Sequence, residues 1–415
     1  MITKIFALIS SNKGRRETFW ALLAKLISAF SGIIILFYVP KFWGIDTYGN
    51  LALILAYISI VEIFFGNSIN PAIKKEVTRH GFESEGRLAF TTGLGTKVVW
   101  FALALIILRC LLFLIPIKIL NDNFFFFVLL MFLMNFWGLV VNCFEAAHKL
   151  FYEFVIYLLE YGTTILLLFY FVLINYKTLH SLLIIFIAGY ALALLYGAII
   201  LKNKLHLNLK DFFAKTDYDL LKIILNRTFY LSLSSASFVL LTRIDTILLS
   251  HFGSATDVGM YNIAAELSKN ATIVSIPIIL GSVPLFIQPN QIKLFISTAT
   301  KLIFVNTLIF FGFLIFSKTF VLMVYGNRFT EVIMLLYILG TYPLFLSLQN
   351  LSSEILILNE KASSLFLNAV IAILINITLS LCLVHDFSVY GIAFATIIAY
   401  AVWFCLNLRV LLKIL

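Results

Sequence analysis

Residues 154–174 read FVIYLLEYGTTILLLFYFVLI and, after the break NYKTLH, residues 181–201 read SLLIIFIAGYALALLYGAIIL. Each run is long enough to cross the hydrocarbon core of a bilayer as a helix, which takes about 20 mostly apolar residues. Together they contain a single charged side chain, Glu160. The pattern recurs along the chain. Apolar runs separated by charged or turn-rich breaks predict twelve spans, at 18–39, 48–70, 89–115, 124–145, 154–174, 181–201, 228–251, 258–287, 295–316, 331–352, 364–384 and 390–411. Backbone in hydrocarbon must satisfy its own hydrogen bonds, and a helix does so within one segment. The reading is therefore an all-α integral membrane protein of about twelve transmembrane helices. The run 258–287 is too long for one straight span, and Pro277 and Pro284 are expected to kink or end it.

Composition points the same way. Of 415 residues 62% are hydrophobic and 12% charged, with a mean hydropathy of +1.05. Soluble domains average roughly 45–50% apolar and about 25% charged. Soluble, disordered and nucleic-acid-binding classes are thereby excluded, and twelve spans leave no room for a large soluble domain. Cys110, Cys143, Cys382 and Cys405 lie singly in apolar runs, and the six His form no metal pattern. Gly93, Gly95 and Lys97 lack the spacing of a phosphate-binding loop. No metal, no cofactor and no ATP hydrolysis by this chain are expected. Enzymes that polymerise lipid-linked sugars need a substantial outer loop, and the longest one predicted here is about fourteen residues, near 317–330. Catalysis is not expected either.

The formal net charge is +10. With twelve spans and the N-terminus inside, nineteen of the 30 Lys and Arg fall on inner segments. Five, Lys41, Lys118, Lys177, Lys318 and Arg328, fall on outer loops. Positive charge favours the cytoplasmic side, so both termini are expected to be cytoplasmic. Met1–Ser10 reads as an interfacial helix leading into Lys13, Arg15 and Arg16. The longest polar stretch, 202–227, divides the chain into an N-terminal six-helix bundle, 1–201, and a C-terminal one, 228–415. Six is even, so the halves would be parallel repeats. Phe42, Gly44, Asp46 and Gly49 after the first span echo Phe252, Gly253, Asp257 and Gly259 after the seventh. Turn chemistry alone accounts for that echo equally well.

Six basic residues remain within spans: Lys25, Lys97, Arg109, Arg243, Lys269 and Lys301. The in-span acids are Glu62, Glu160, Asp245, Glu266 and Glu354. Each costs about 2.5–3.5 kcal/mol to insert, so such groups usually face a wet or protein-lined interior. Lys301, Glu354 and also Lys25 have a bland reading as groups that snorkel to the interface. Glu266 and Lys269, three apart on one helix, have another as a private pair. Arg243 and Asp245 are two apart and face different directions, so they need different partners. Basic groups at several depths suit a conduit for an anionic group better than a single packing ion pair does.

Thr242–Leu267, TRIDTILLSHFGSATDVGMYNIAAEL, resembles the seventh-to-eighth helix region of bacterial polysaccharide flippases. These are the Wzx-type O-antigen translocases of the multidrug/oligosaccharidyl-lipid/polysaccharide exporter superfamily. Arg243 and Asp245 match the basic-x-Asp element, and Val258–Tyr261 the Val-Gly-x-Tyr turn. Asp46–Gly49, Val324–Gly326 and Tyr390–Ala393 look similar to other elements of the family. The resemblance implies two six-helix bundles in a V around a central cavity. It implies flipping of an undecaprenyl-pyrophosphate-linked oligosaccharide, such as an O-antigen unit for lipopolysaccharide, between leaflets of the inner membrane. Lys25, Lys97, Arg243 and Lys269 fit the expected substrate-binding positions. Asp245, Glu266 and Glu62 are candidates for coupling to a proton or sodium ion. The expected partners are membrane lipid and the polysaccharide polymerase machinery, and the expected state is a monomer. Competing readings are a drug exporter of the same superfamily, whose cavity should be acid-dominated, and a membrane polysaccharide polymerase.

Overall fold

The computed structural model of the chain describes residues 13–65, 70–80, 84–114, 117–205, 218–287 and 291–414. The interfacial helix expected at Met1–Ser10 and the central part of the linker, 206–217, lie outside the described residues. Those residues are almost wholly helical, with no strand among them. Packing divides the chain into two units, Met1–Tyr38 with Ile58–Ser232, and Val39–Tyr57 with Leu233–Leu415. The short segment Val39–Tyr57 thus groups with residues that follow it by about two hundred positions.

The first unit is built from α1 (Lys13–Trp43, up to Tyr38), the second half of α2 (Ile45–Phe65), α3 (Asn70–His80), α4 (Ser84–Leu114), α5 (Lys118–Asp122), α6 (Phe124–Ala146), α7 (Leu150–Leu173) and α8 (Leu179–Leu205). Helix α3 occupies what reads in sequence as an inner loop. It packs on α4 and α6 because Ile73 and Val77, four apart and hence on one face, insert fully into the core. Phe90, Phe144 and Ile156 complete that core. The opposite character appears on α4, where Val99, Ile106, Phe113 and Leu114 are exposed. Lipid tails are as apolar as leucine, so such a face is at home against a bilayer, and helix association depends on close fit instead.

The second unit contains α9 (Tyr218–Phe252, from Leu233), α10 (Ala255–Ala271), α11 (Ile276–Ser282), α12 (Gln291–Val324), α13 (Thr330–Leu339), α14 (Tyr342–Leu358) and α15 (Ala362–Leu411). Helices α10 and α11 meet at a bend of 42° through Thr272–Val274. Pro277 stands at the start of α11, and Pro284 lies in the 3₁₀ segment Val283–Ile287 that ends the run. Helices α13 and α14 meet at a second bend, of 43°, inside the run expected as a span at 331–352. Helix α12 runs to Val324 and the next 3₁₀ turn begins at Asn327. The connection between these helices is therefore shorter than the fourteen residues expected.

Helix α15 is 50 residues long, but Ser388 within it has φ 49°. Asn368 donates to Asn407 at 3.0 Å, whereas on a straight helix they would be about 58 Å apart. Helix α15 is therefore a hairpin of two spans. Among the described residues nine helices are individually long and apolar enough to cross a membrane, or eleven if each bent pair is one span. Counting the hairpin arms separately makes twelve.

The first half of α2 packs within the second unit, backbone against backbone with α10. A Cβ on Gly49 would lie 2.0 Å from the Ala255 carbonyl oxygen, and one on Gly259 would lie 2.6 Å from that of Ile45. Only glycine permits this approach. The two turns that echo each other in sequence meet here. Thr256 donates to Asp46, while Asp257 and Ser254 close a capping box at the start of α10.

Candidate functional site

The second unit holds a compact polar site. Arg243 on α9 donates through Nη1 to Glu266 Oε1 at 3.1 Å. Lys269, one turn after Glu266 on α10, reaches the same carboxylate at 3.3 and 3.5 Å. Two cations thus share one anion. The pairing of Glu266 with Lys269 read in sequence is present, and Arg243 joins it from the neighbouring helix.

Asp245 points elsewhere, as its spacing from Arg243 requires. Its Oδ2 accepts from Tyr261 Oη at 2.7 Å and lies 2.8 Å from Thr396 Oγ1. The Thr396 hydroxyl has one proton, and the Ile392 carbonyl at 2.9 Å competes for it. Asp245 is 1% exposed, and its Oδ1 has no hydrogen-bond partner. The Asn376 side chain stands beside the same carboxylate without forming a hydrogen bond of ordinary geometry. A buried carboxylate oxygen, two hydroxyls and an idle amide converge here from α9, α10 and both arms of α15. Such a hard-oxygen set suits a small cation.

Both groups line one cavity, closed on its other side by Leu339 and Tyr342, where α13 breaks into α14. Interrupted helices are a common way to bring ends of helices to ion and substrate sites in transporters. The cavity offers about 20 Å³ to a water-sized sphere, and one water needs roughly 10–15 Å³. It has room for a water or a bare ion in this state, and none for a sugar. Among the described residues no three His, Cys, Asp or Glu side chains gather as a metal cage.

In the first unit the named residues fall in two places. Lys97 on α4 is fully buried and donates to both the backbone oxygen and Oδ1 of Asn135 on α6, each at 2.8 Å. Glu62, also buried, is close enough to act electrostatically on it. Lys25 on α1 is instead exposed and meets Glu145 at 3.5 Å and Glu153 at 3.4 Å. It stands 5.3 Å from the Tyr157 ring centre, and Lys74 of α3 takes the other Glu145 oxygen at 2.7 Å. The structure brings Arg243, Asp245, Glu266 and Lys269 together, and places Lys97 near Glu62. It gives Lys25 a separate network of two lysines and two glutamates.

Sequence reading missed Tyr261, Thr396, Glu145, Glu153 and Lys74 as partners. Tyr261 was visible in the Val-Gly-x-Tyr turn. Thr396, among the small residues of GIAFAT, carries only the signal of a lone hydroxyl in an apolar span.

The sequence pattern of the polysaccharide biosynthesis protein family matches residues 15–290, more than half of the chain. The chain belongs to this family. The resemblance read from Thr242–Leu267 holds at that level. No curated protein sequence matches significantly. Among solved structures, an inward-facing multidrug resistance MATE family transporter of the MOP superfamily is similar with a TM-score of 0.75 at 11% identity, over 95% of this chain and 98% of that one. The lipid II flippase MurJ in an inward closed conformation gives 0.75 at 14%, over 94% and 87%. A MOP superfamily transporter from Pyrococcus furiosus, described by its reverse-polarity binding pocket, gives 0.64 at 12%, over 96% and 94%. At these identities the likeness is one of fold: this polysaccharide biosynthesis family member is a multi-pass membrane protein with a transporter's architecture.

Proposed function

We propose that the protein is a flippase that moves an undecaprenyl-pyrophosphate-linked oligosaccharide, an O-antigen or similar repeat unit, from the cytoplasmic to the outer leaflet of the bacterial inner membrane. It works by alternating access, with both termini cytoplasmic and as a monomer beside the polymerase machinery. The observation that carries the reading is the pair of cations, Arg243 and Lys269, held on one carboxylate inside a membrane span. A pyrophosphate cannot cross hydrocarbon unshielded, and Arg presents a fork matched to phosphate oxygens. Lys97 and Lys25 extend the cationic positions in the other half.

Glu266 gives the cluster a switch. While ionised it occupies both cations. When it takes up a proton, Arg243 and Lys269 are released to a phosphate. Proton uptake and cargo binding would then favour each other, which is reciprocal linkage between two sites. Asp245, with Tyr261 and Thr396, is the second coupling group, suited to a proton or sodium ion, and Glu62 is a third. A drug exporter for cations is disfavoured because acids do not dominate the cluster.

Deleting the gene should make lipid-linked oligosaccharide accumulate on the cytoplasmic leaflet and deplete surface polysaccharide, both restored by the wild-type chain. Normal surface polysaccharide without accumulation would overturn the reading. Arg243→Ala or Lys269→Ala should fail to restore it. Full rescue by both, and by Lys25→Ala and Lys97→Ala, would remove the proposed binding site.

A further inference from the structure

Arg109 has no part in the site above and stands on the opposite kind of surface. It lies on α4 between Ile106 and Phe113, which are 61% and 87% exposed. Residues three before and four after share its helix face, so Arg109 belongs to the apolar outer face of the unit. The helix is 31 residues long, about 46 Å at 1.5 Å per residue, and exceeds the roughly 30 Å hydrocarbon core. Arg109 is five residues short of the end at Leu114, about 7.5 Å along the axis. That is the boundary between hydrocarbon and headgroups, on the side that the positive-charge pattern makes the outer one.

The guanidinium is held 4.9 Å from the centre of the Phe124 ring at the start of α6. Among the described residues it has no carboxylate or carbonyl partner. The five N–H donors of a permanently charged guanidinium are left to the edge of the hydrocarbon. An open cleft of about 700 Å³ adjoins it, lined by Arg109 and the Asn121 side chain at its polar end and by Leu112, Phe113 and Leu114 along its apolar walls. Lys118 and Asp122, exposed on α5, flank Asn121 and offset each other, so Arg109 leaves the cleft with one net positive charge.

We propose that this cleft is a binding site for a phospholipid of the outer leaflet. The headgroup phosphate bridges the Arg109 guanidinium and the Asn121 amide, and an acyl chain lies along Phe113 and Leu114. The phosphate accepts the N–H groups that the protein leaves open, and the chain covers apolar surface that a free phosphate would leave bare. Phe124, 4.9 Å away, holds the guanidinium from its other side. The site is independent of the cargo pathway and stands whether or not the chain flips oligosaccharide.

The test uses the full chain in phosphatidylethanolamine nanodiscs doped with a photoactivatable phosphatidylglycerol, with cross-links mapped by mass spectrometry. Wild-type protein should label within 109–124. Arg109→Gln should weaken that labelling roughly tenfold, the effect of losing one charge-assisted hydrogen bond. Arg109→Lys should retain part of it and Lys118→Gln most of it. If Arg109→Gln fails to fold, Phe124→Leu provides the second variant, with labelling reduced through a guanidinium no longer held in place. Labelling spread evenly along the exposed face of α4, or unchanged in both Arg109→Gln and Phe124→Leu, overturns the proposal. Displacement of the lipid by millimolar inorganic phosphate also overturns it, in favour of a free-anion site.

Discussion

Glu266 illustrates how one side chain sets the state of its neighbours. Replacing it with Gln keeps the shape and removes the charge that occupies Arg243 and Lys269. The expected outcome is tighter retention of a pyrophosphate lipid in a binding assay, together with slower translocation and weakened dependence on the proton gradient. Asp245→Asn and Thr396→Val act on the neighbouring group. Each disturbs the hydrogen bonds at Asp245 Oδ2, so each should lower thermal stability in detergent by about 1–3 kcal/mol. Asp245→Asn should also remove cation-induced stabilisation, which Thr396→Val should only weaken. Lys97 is different, because two of its three ammonium N–H groups go to Asn135. Lys97→Met should destabilise by about 1–3 kcal/mol. Adding Asn135→Leu should recover much of that loss, since apolar replacement of both partners can be nearly neutral. Recovery of stability without recovery of transport separates a cargo role for Lys97 from a packing role.

At the scale of elements, the crossing of α2 with α10 is the most demanding contact. Gly49→Val or Gly259→Val places side-chain atoms against backbone oxygen, which cannot rotate away. The expected loss is at least the 1–3 kcal/mol typical of overpacking, read as a lower midpoint of thermal unfolding in detergent. Gly162, on α7 with open space around its Cα, is the control. Gly162→Ala should leave the midpoint unchanged or raise it slightly, by up to about 1 kcal/mol. The bends belong to this scale as well. Pro277 announced that of α10 and α11 in sequence, whereas the break of α13 into α14 is marked only by Gly340 and Pro343, and it places Leu339 and Tyr342 on the ion-sized cavity.

At the scale of the molecule, the expected orientation has a direct check. A fusion that joins alkaline phosphatase near Asn121 should be active, because that junction is predicted outside. A fluorescent protein joined near Lys202 should mature inside. The hairpin in α15 adds a third junction, at Asp386, which should report outside. The reverse result at all three junctions would invert the topology, and a disagreement after Lys202 alone would mean that one span was miscounted.

Most of the architecture was legible in the chain because a bilayer imposes length and polarity on every span. Runs of about twenty apolar residues, and the side on which lysine and arginine accumulate, follow from solvent physics acting on each segment alone. Which charges meet is another matter. The sequence named Arg243, Asp245, Glu266 and Lys269, yet only packing brought Arg243 to Glu266 and Tyr261, Thr396 and Asn376 to Asp245. It also gave Lys25 to Glu145 and Glu153, Lys97 to Asn135, and the first half of α2 to the second unit. These depend on helix rotation and crossing, which small residues such as Gly49 and Gly259 set through contacts two hundred residues apart. Hydropathy places a helix in the membrane and says little about the partner its charged side chains will face.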